Sequence, residues 1–167
     1  MERYKPLFES FYKLSDSEIS DILHEIRQNE EVAYSFFKKI FKYTNEWKII
    51  PFTSEELSFY KKIHINKLQL PKLIYRSEKI NNKDFEKQYN SWTTRKSGTN
   101  YFQRGANKEV TKKLLTNKDF YIDLTFLHSF INKISVLEDI DINLKLKNLF
   151  EDNQLYDENE ILMFNKI

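Results

Sequence analysis

The hydrophobic period of this chain changes at Leu70, and that change limits the folds open to it. Before it, apolar residues recur at helical spacing; after it, several segments alternate as strands do. Residues 2–14 place Tyr4, Leu7, Phe8, Phe11, Tyr12 and Leu14 on one helical face. Ser15-Asp16-Ser17-Glu18 has the spacing of a capping box and leads into the stripe Ile19, Ile22, Leu23, Ile26. A third helix is expected over Glu30–Tyr43, with Val32, Phe36, Phe37, Ile40 and Phe41 on one side. Pro51 interrupts the pattern, and Thr53-Ser54-Glu55-Glu56 opens a fourth helix that ends near Ile63.

Beyond Pro71, Lys72-Leu73-Ile74-Tyr75-Arg76-Ser77 reads as a strand, Asn81–Asp84 as a polar turn and Ser91–Thr94 as a second strand. Phe85–Tyr89 is a connector, Gly98–Gly105 a loop or a distorted helix, and Asn107–Leu115 a basic helix. Phe120–Phe126 and Ile140–Leu146 alternate as strands, while residues 127–138 fit helix or strand equally. An acidic loop, Glu151–Asp157, precedes a final strand, Ile161–Phe164. The expectation is one α+β domain over 1–167, with a helical part over 1–66 and a strand-rich core over 67–167.

Composition removes several function classes. No cysteine is present, so disulfide and thiolate chemistry are excluded. His24, His64 and His128 are too scattered for metal-ligand spacing. Two glycines exclude a glycine-rich phosphate loop. Neither an apolar signal core nor a membrane-length apolar run is seen, so a cytoplasmic protein with no membrane partner is expected. The net charge of +2 hides an asymmetry: residues 61–115 hold fourteen Lys/Arg against four Asp/Glu. Such a block suits a pyrophosphate, a nucleic acid or an acidic partner, or it faces the acidic remainder of the chain.

Three short segments carry the candidate chemistry. Arg76 ends an apolar run, either as a surface strand terminus or as a guanidinium fork aimed at a phosphate or a carboxylate. Ser91-Trp92-Thr93-Thr94 sets three hydroxyls around one aromatic. Glu158 and Glu160 stand two apart at the mouth of an apolar strand, which in extended geometry points both to one side. Paired carboxylates of this kind stabilise a sugar oxocarbenium ion and handle the proton of the incoming nucleophile.

In order, Tyr75-Arg76-Ser77, Ser91-Trp92-Thr93-Thr94 and Glu158-Asn159-Glu160-Ile161-Leu162 resemble the arginine–serine–glutamate class of ADP-ribosyltransferases over residues 72–164. The family pattern is Y-R-(G/S), then S-W-T or S-T-S, then E-x-E-(V/I)-L, with an aromatic before the glutamates that Tyr156 matches. The interval from Arg76 to Ser91 is short beside secreted members, and Ser97–Phe102 matches the family's following helix only loosely. The resemblance implies a small split β-sheet core, NAD as the substrate and no metal.

It also implies roles for individual residues. Arg76 would hold an NAD phosphate, Ser91 would position the catalytic Glu160, and Thr93 would shape the same strand. Glu160 would bind the nicotinamide ribose and face the oxocarbenium; Glu158 would deprotonate the acceptor, and Tyr156 would contact it. The implied activity is transfer of ADP-ribose to a macromolecular acceptor, an RNA base or a protein arginine. A toxin of a toxin–antitoxin or phage-defence system, with a cognate antitoxin, fits such a chain. The basic block, with Tyr75, Tyr89, Trp92, Tyr101 and Phe102 interleaved, leans toward RNA. Two other classes stay open: a non-catalytic immunity or antitoxin protein that binds through its acidic C-terminal segment, and a metal-dependent nuclease using Asp123, Glu138 or Asp141.

Overall fold

A computed structural model describes residues 12–79, 88–94, 108–137, 139–153, 155 and 159–165. Among these are five helices and five strands, in the order α1 (Asp16–Gln28), α2 (Glu30–Glu46), α3 (Ser54–Ile63), β1 (Lys72–Lys79), β2 (Tyr89–Thr93), β3 (Lys108–Leu115), β4 (Tyr121–Asp123), α4 (Leu124–Ile134), α5 (Leu144–Asp152) and β5 (Glu160–Phe164). The protein is mixed α and β, with a sheet that is antiparallel throughout and ordered β3-β1-β2-β5-β4. The chain forms two compact units that interleave in sequence. One comprises the described residues of Phe11–Ile65 and Phe126–Tyr156, the other those of Asn66–Thr125 and Asp157–Ile167.

In the helical unit, local chemistry fixes where helices begin. Ser15 and Glu18 form a reciprocal capping box at α1, and Thr53 and Glu56 form another at α3. The core is aromatic. Phe36 lies 5.4 Å from Phe52 and 5.8 Å from Phe59 between ring centres, and Phe37 lies 5.0 Å from Phe150. Phe36 and Phe37 are completely buried, and each such side chain contributes roughly 1.5–3 kcal/mol through burial. The stretch expected to be a helix over 2–14 lies outside the described residues up to Phe11, and Tyr12–Leu14 are not helical.

Three sequence expectations are corrected. Residues 108–115 form β3 rather than a basic helix; the strand pairs with β1 over eight consecutive partners, from Lys72↔Leu115 to Lys79↔Lys108. That ladder, with Leu115 buried opposite β1, overrides a weak helical pattern. The strand expected over Phe120–Phe126 stops at Asp123, because the Asp123 carboxylate accepts the Thr125 N–H at 3.0 Å and starts α4. Leu124, Leu127, Phe130, Ile131 and Ile134 then bury one helical stripe, which resolves the open reading of 127–138 up to Ile134. Finally, Ile140–Leu146 is not a strand: Asn143 accepts the Leu146 N–H at 2.9 Å and nucleates α5.

In the sheet unit, β5 lies between β2 and β4, and Ile161, Leu162, Met163 and Phe164 are all buried. On one face Ile74, Trp92, Leu115, Tyr121, Ile161 and Met163 form a single apolar cluster, flanked by Leu68 and Leu70. Among the described residues, the ladder pair Tyr75↔Thr93 joins β1 to β2 at the seam between them.

Candidate active site

The site grows from that seam. Thr93 is the Cα partner of Glu160, and Ser91 that of Leu162. Partners across an antiparallel pair share a face, so Ser91, Thr93 and Glu160 project to the same side, opposite the Trp92 cluster. Ser91 is diagonal to Glu160, within reach of its carboxylate. Its hydroxyl donates to Glu160 Oε2 at 2.5 Å, a short charge-assisted bond that fixes the carboxylate's orientation. Glu160 is half-buried at the first position of β5, whereas Thr93 beneath the same row is buried.

Arg76 enters from the other side. By alternation it shares the face of Ile74. Its Nη1 donates to the Ser91 carbonyl at 2.8 Å, beside the Tyr75↔Thr93 ladder pair. Arg76 and Glu160 thus meet through one residue: the guanidinium holds the Ser91 backbone, and the Ser91 hydroxyl holds the carboxylate.

Asn159 governs how β5 begins. Its backbone is left-handed, with φ of 61°, a region in which asparagine is enriched. Its carbonyl accepts the Thr94 N–H at 3.0 Å, which ties the start of β5 to the end of β2. Extended geometry consequently does not continue back past Glu160, and the expectation that Glu158 and Glu160 point to one side by strand alternation loses its basis. Glu158 and Tyr156 lie outside the described residues. Nothing in the sequence signals the pairing of Tyr75 with Thr93, whereas the left-handed turn is foreshadowed by an Asn between two glutamates.

The neighbouring aromatics divide sharply. Trp92 and Tyr89 are buried, so neither offers a stacking surface; Tyr75 is half-buried on the Glu160 side of the sheet; Tyr101 and Phe102 lie outside the described residues. Burial, with the negative charge of Glu160 in support, pushes the Tyr89 phenol well above its ordinary range and keeps it protonated.

Among the residues weighed for a nuclease, Asp123 is buried and engaged as the cap of α4, Asp141 is exposed, and Glu138 lies outside the described residues. Among the described residues, no helix is long and apolar enough to cross a membrane. Compared with protein-family models, with curated proteins and with solved structures, the chain matches none.

Proposed function

We propose that this chain is a mono-ADP-ribosyltransferase that moves ADP-ribose from NAD to a macromolecular acceptor. The observation that carries the reading is the Ser91–Glu160 hydrogen bond, made between the two strands that bear the second and third motifs. A carboxylate held rigid at a strand mouth suits a developing positive charge, because its orientation need not be found during the reaction. The Arg76 guanidinium, anchored to the same Ser91, supports the reading as the group that grips an NAD phosphate.

In this scheme the bond between the nicotinamide nitrogen and ribose C1′ breaks, and nicotinamide departs with the electron pair. Glu160 faces the cationic ribose and hydrogen-bonds its hydroxyl. A nucleophile of the acceptor then bonds to C1′ and gives up its proton to Glu158. Thr93 holds the register of β2 against β5, and Tyr156 contacts the acceptor. An acceptor inside the cell makes the chain a toxin of a toxin–antitoxin or phage-defence system. The test is incubation of the purified chain with NAD labelled in the adenylate and a whole-cell lysate, with and without RNase, beside Glu160→Gln. Label in macromolecules with the parent chain and none with the variant is the expected result. Absence of label and of nicotinamide release from folded protein overturns the reading.

A further inference from the structure

Four Cα partners run in one row across the sheet: Lys112 on β3, Tyr75 on β1, Thr93 on β2 and Glu160 on β5. Because ladder partners share a face, all four project to the same side. Neighbouring strands lie ~4.8 Å apart, which sets Tyr75 ~10 Å and Lys112 ~14 Å from Glu160 along the row. Lys112 is exposed and Tyr75 half-buried, and next to them the partner pair Leu73↔Leu114 is 46% and 49% exposed. A cation, an aromatic ring and two apolar side chains thus form an accessible strip on β3 and β1, two strands from the half-buried carboxylate, with the buried Thr93 between them.

The geometry points to this strip as the binding surface for a single-stranded polynucleotide acceptor, with one base stacked on Tyr75, a phosphate at Lys112 and the adjacent base delivered to Glu160. The inference rests on the transferase reading for what happens at Glu160, but the binding surface does not depend on it. Three arguments favour nucleic acid. An aromatic side chain on an open sheet face stacks on any base, and cations beside it hold the backbone. A base must leave its helix before chemistry reaches it, which selects single strands. A protein arginine would bring positive charge into a segment that already has a surplus of ten, whereas a phosphodiester chain is attracted there. The transfer itself balances as before: the base nucleophile bonds to ribose C1′, nicotinamide leaves with the bonding pair, and the base loses one proton.

The test uses the full chain carrying Glu160→Gln, so that binding is read without turnover. Fluorescence anisotropy follows a short labelled RNA, the same sequence as DNA, and the RNA duplex. Single strands are expected to bind, and a tighter complex with the RNA assigns the acceptor as RNA through its 2′-hydroxyls. Tyr75→Ala and Lys112→Glu should each weaken binding about tenfold, the second with a shallower dependence on salt. Lys113→Glu makes the same charge change on the opposite face, as the partner of Ile74, and should weaken binding less. Equal losses at Lys112 and Lys113, no loss at Tyr75, or failure of either single strand to bind overturns the surface. Label carried by protein in an RNase-treated lysate, without oligonucleotide binding, overturns the nucleic-acid acceptor and leaves the transferase standing. Oligonucleotide binding without nicotinamide release from the parent chain upholds the surface and overturns the transferase.

Discussion

The hydroxyl of Ser91 lies 2.5 Å from Oε2 of Glu160, and the carbonyl of the same serine lies 2.8 Å from Nη1 of Arg76. One residue therefore couples a cation on β1 to a carboxylate on β5. Removing the hydroxyl should leave the backbone contact intact and take away one of the groups that orient the carboxylate. Ser91→Ala is expected to lower kcat for nicotinamide release roughly 10–100-fold, with KM for NAD little changed, because a loosened catalytic group loses orientation rather than binding. Steady-state kinetics with circular dichroism as a folding control would check it.

Arg76 should show the opposite pattern. A lysine cannot present a planar fork to both the Ser91 carbonyl and a phosphate. Arg76→Lys is expected to raise KM for NAD about tenfold or more, in line with the loss of a charge-assisted bond. An unchanged KM would remove Arg76 from the NAD site.

In the helical unit, Lys39 and Glu56 form a pair at 2.5 Å, and Glu56 also accepts the Thr53 N–H at 2.7 Å within the α3 capping box. Burial acts to raise the Glu56 carboxyl, but hydrogen bonds from Lys39, Thr53 and Ser35 outweigh it and hold the group below its ordinary value. Lys39→Met leaves a buried carboxylate without its cation. It should cost about 3 kcal/mol, read as a lower urea midpoint at neutral pH.

His64 should make stability depend on pH. Its ring stacks on Tyr60 at 5.1 Å, and burial lowers its pKa to about 4. Since the unfolded chain binds the proton near pH 6.5, the contribution is complete above that value and is lost as pH falls through about 4. The loss amounts to at most about 3 kcal/mol. His64→Phe keeps the stacked ring, and its urea midpoint should fall less steeply between pH 6.5 and 4 than that of the parent.

The helices α1 and α3 were legible in advance because their starts are set by four-residue capping boxes, a local interaction. The strands β1 and β5 were legible from their short apolar runs, whereas β2, with Asn90 and Ser91 inside it, begins at Tyr89 and not at Ser91 as expected. Other elements depend on partners distant in sequence. Lys108–Leu115 becomes a strand through its ladder with β1, and nothing local to Lys112 and Lys113 signals that pairing. Ile140–Leu146 alternates, yet the Asn143 side chain captures the Leu146 N–H and the chain turns helical. At the site, Arg76, Ser91 and Glu160 could be named from their motifs, but the link through both polar groups of Ser91 needed the register. The left-handed Asn159 likewise shows how β5 begins only in three dimensions.

The most direct measurement is nicotinamide release from NAD by the purified chain and by Glu160→Gln, both confirmed as folded by their thermal transitions. The account predicts release by the parent and a rate at least about a hundredfold lower for the variant, the scale expected when a positioned catalytic group is neutralised. No release by the folded parent, or equal rates for the two proteins, would contradict it.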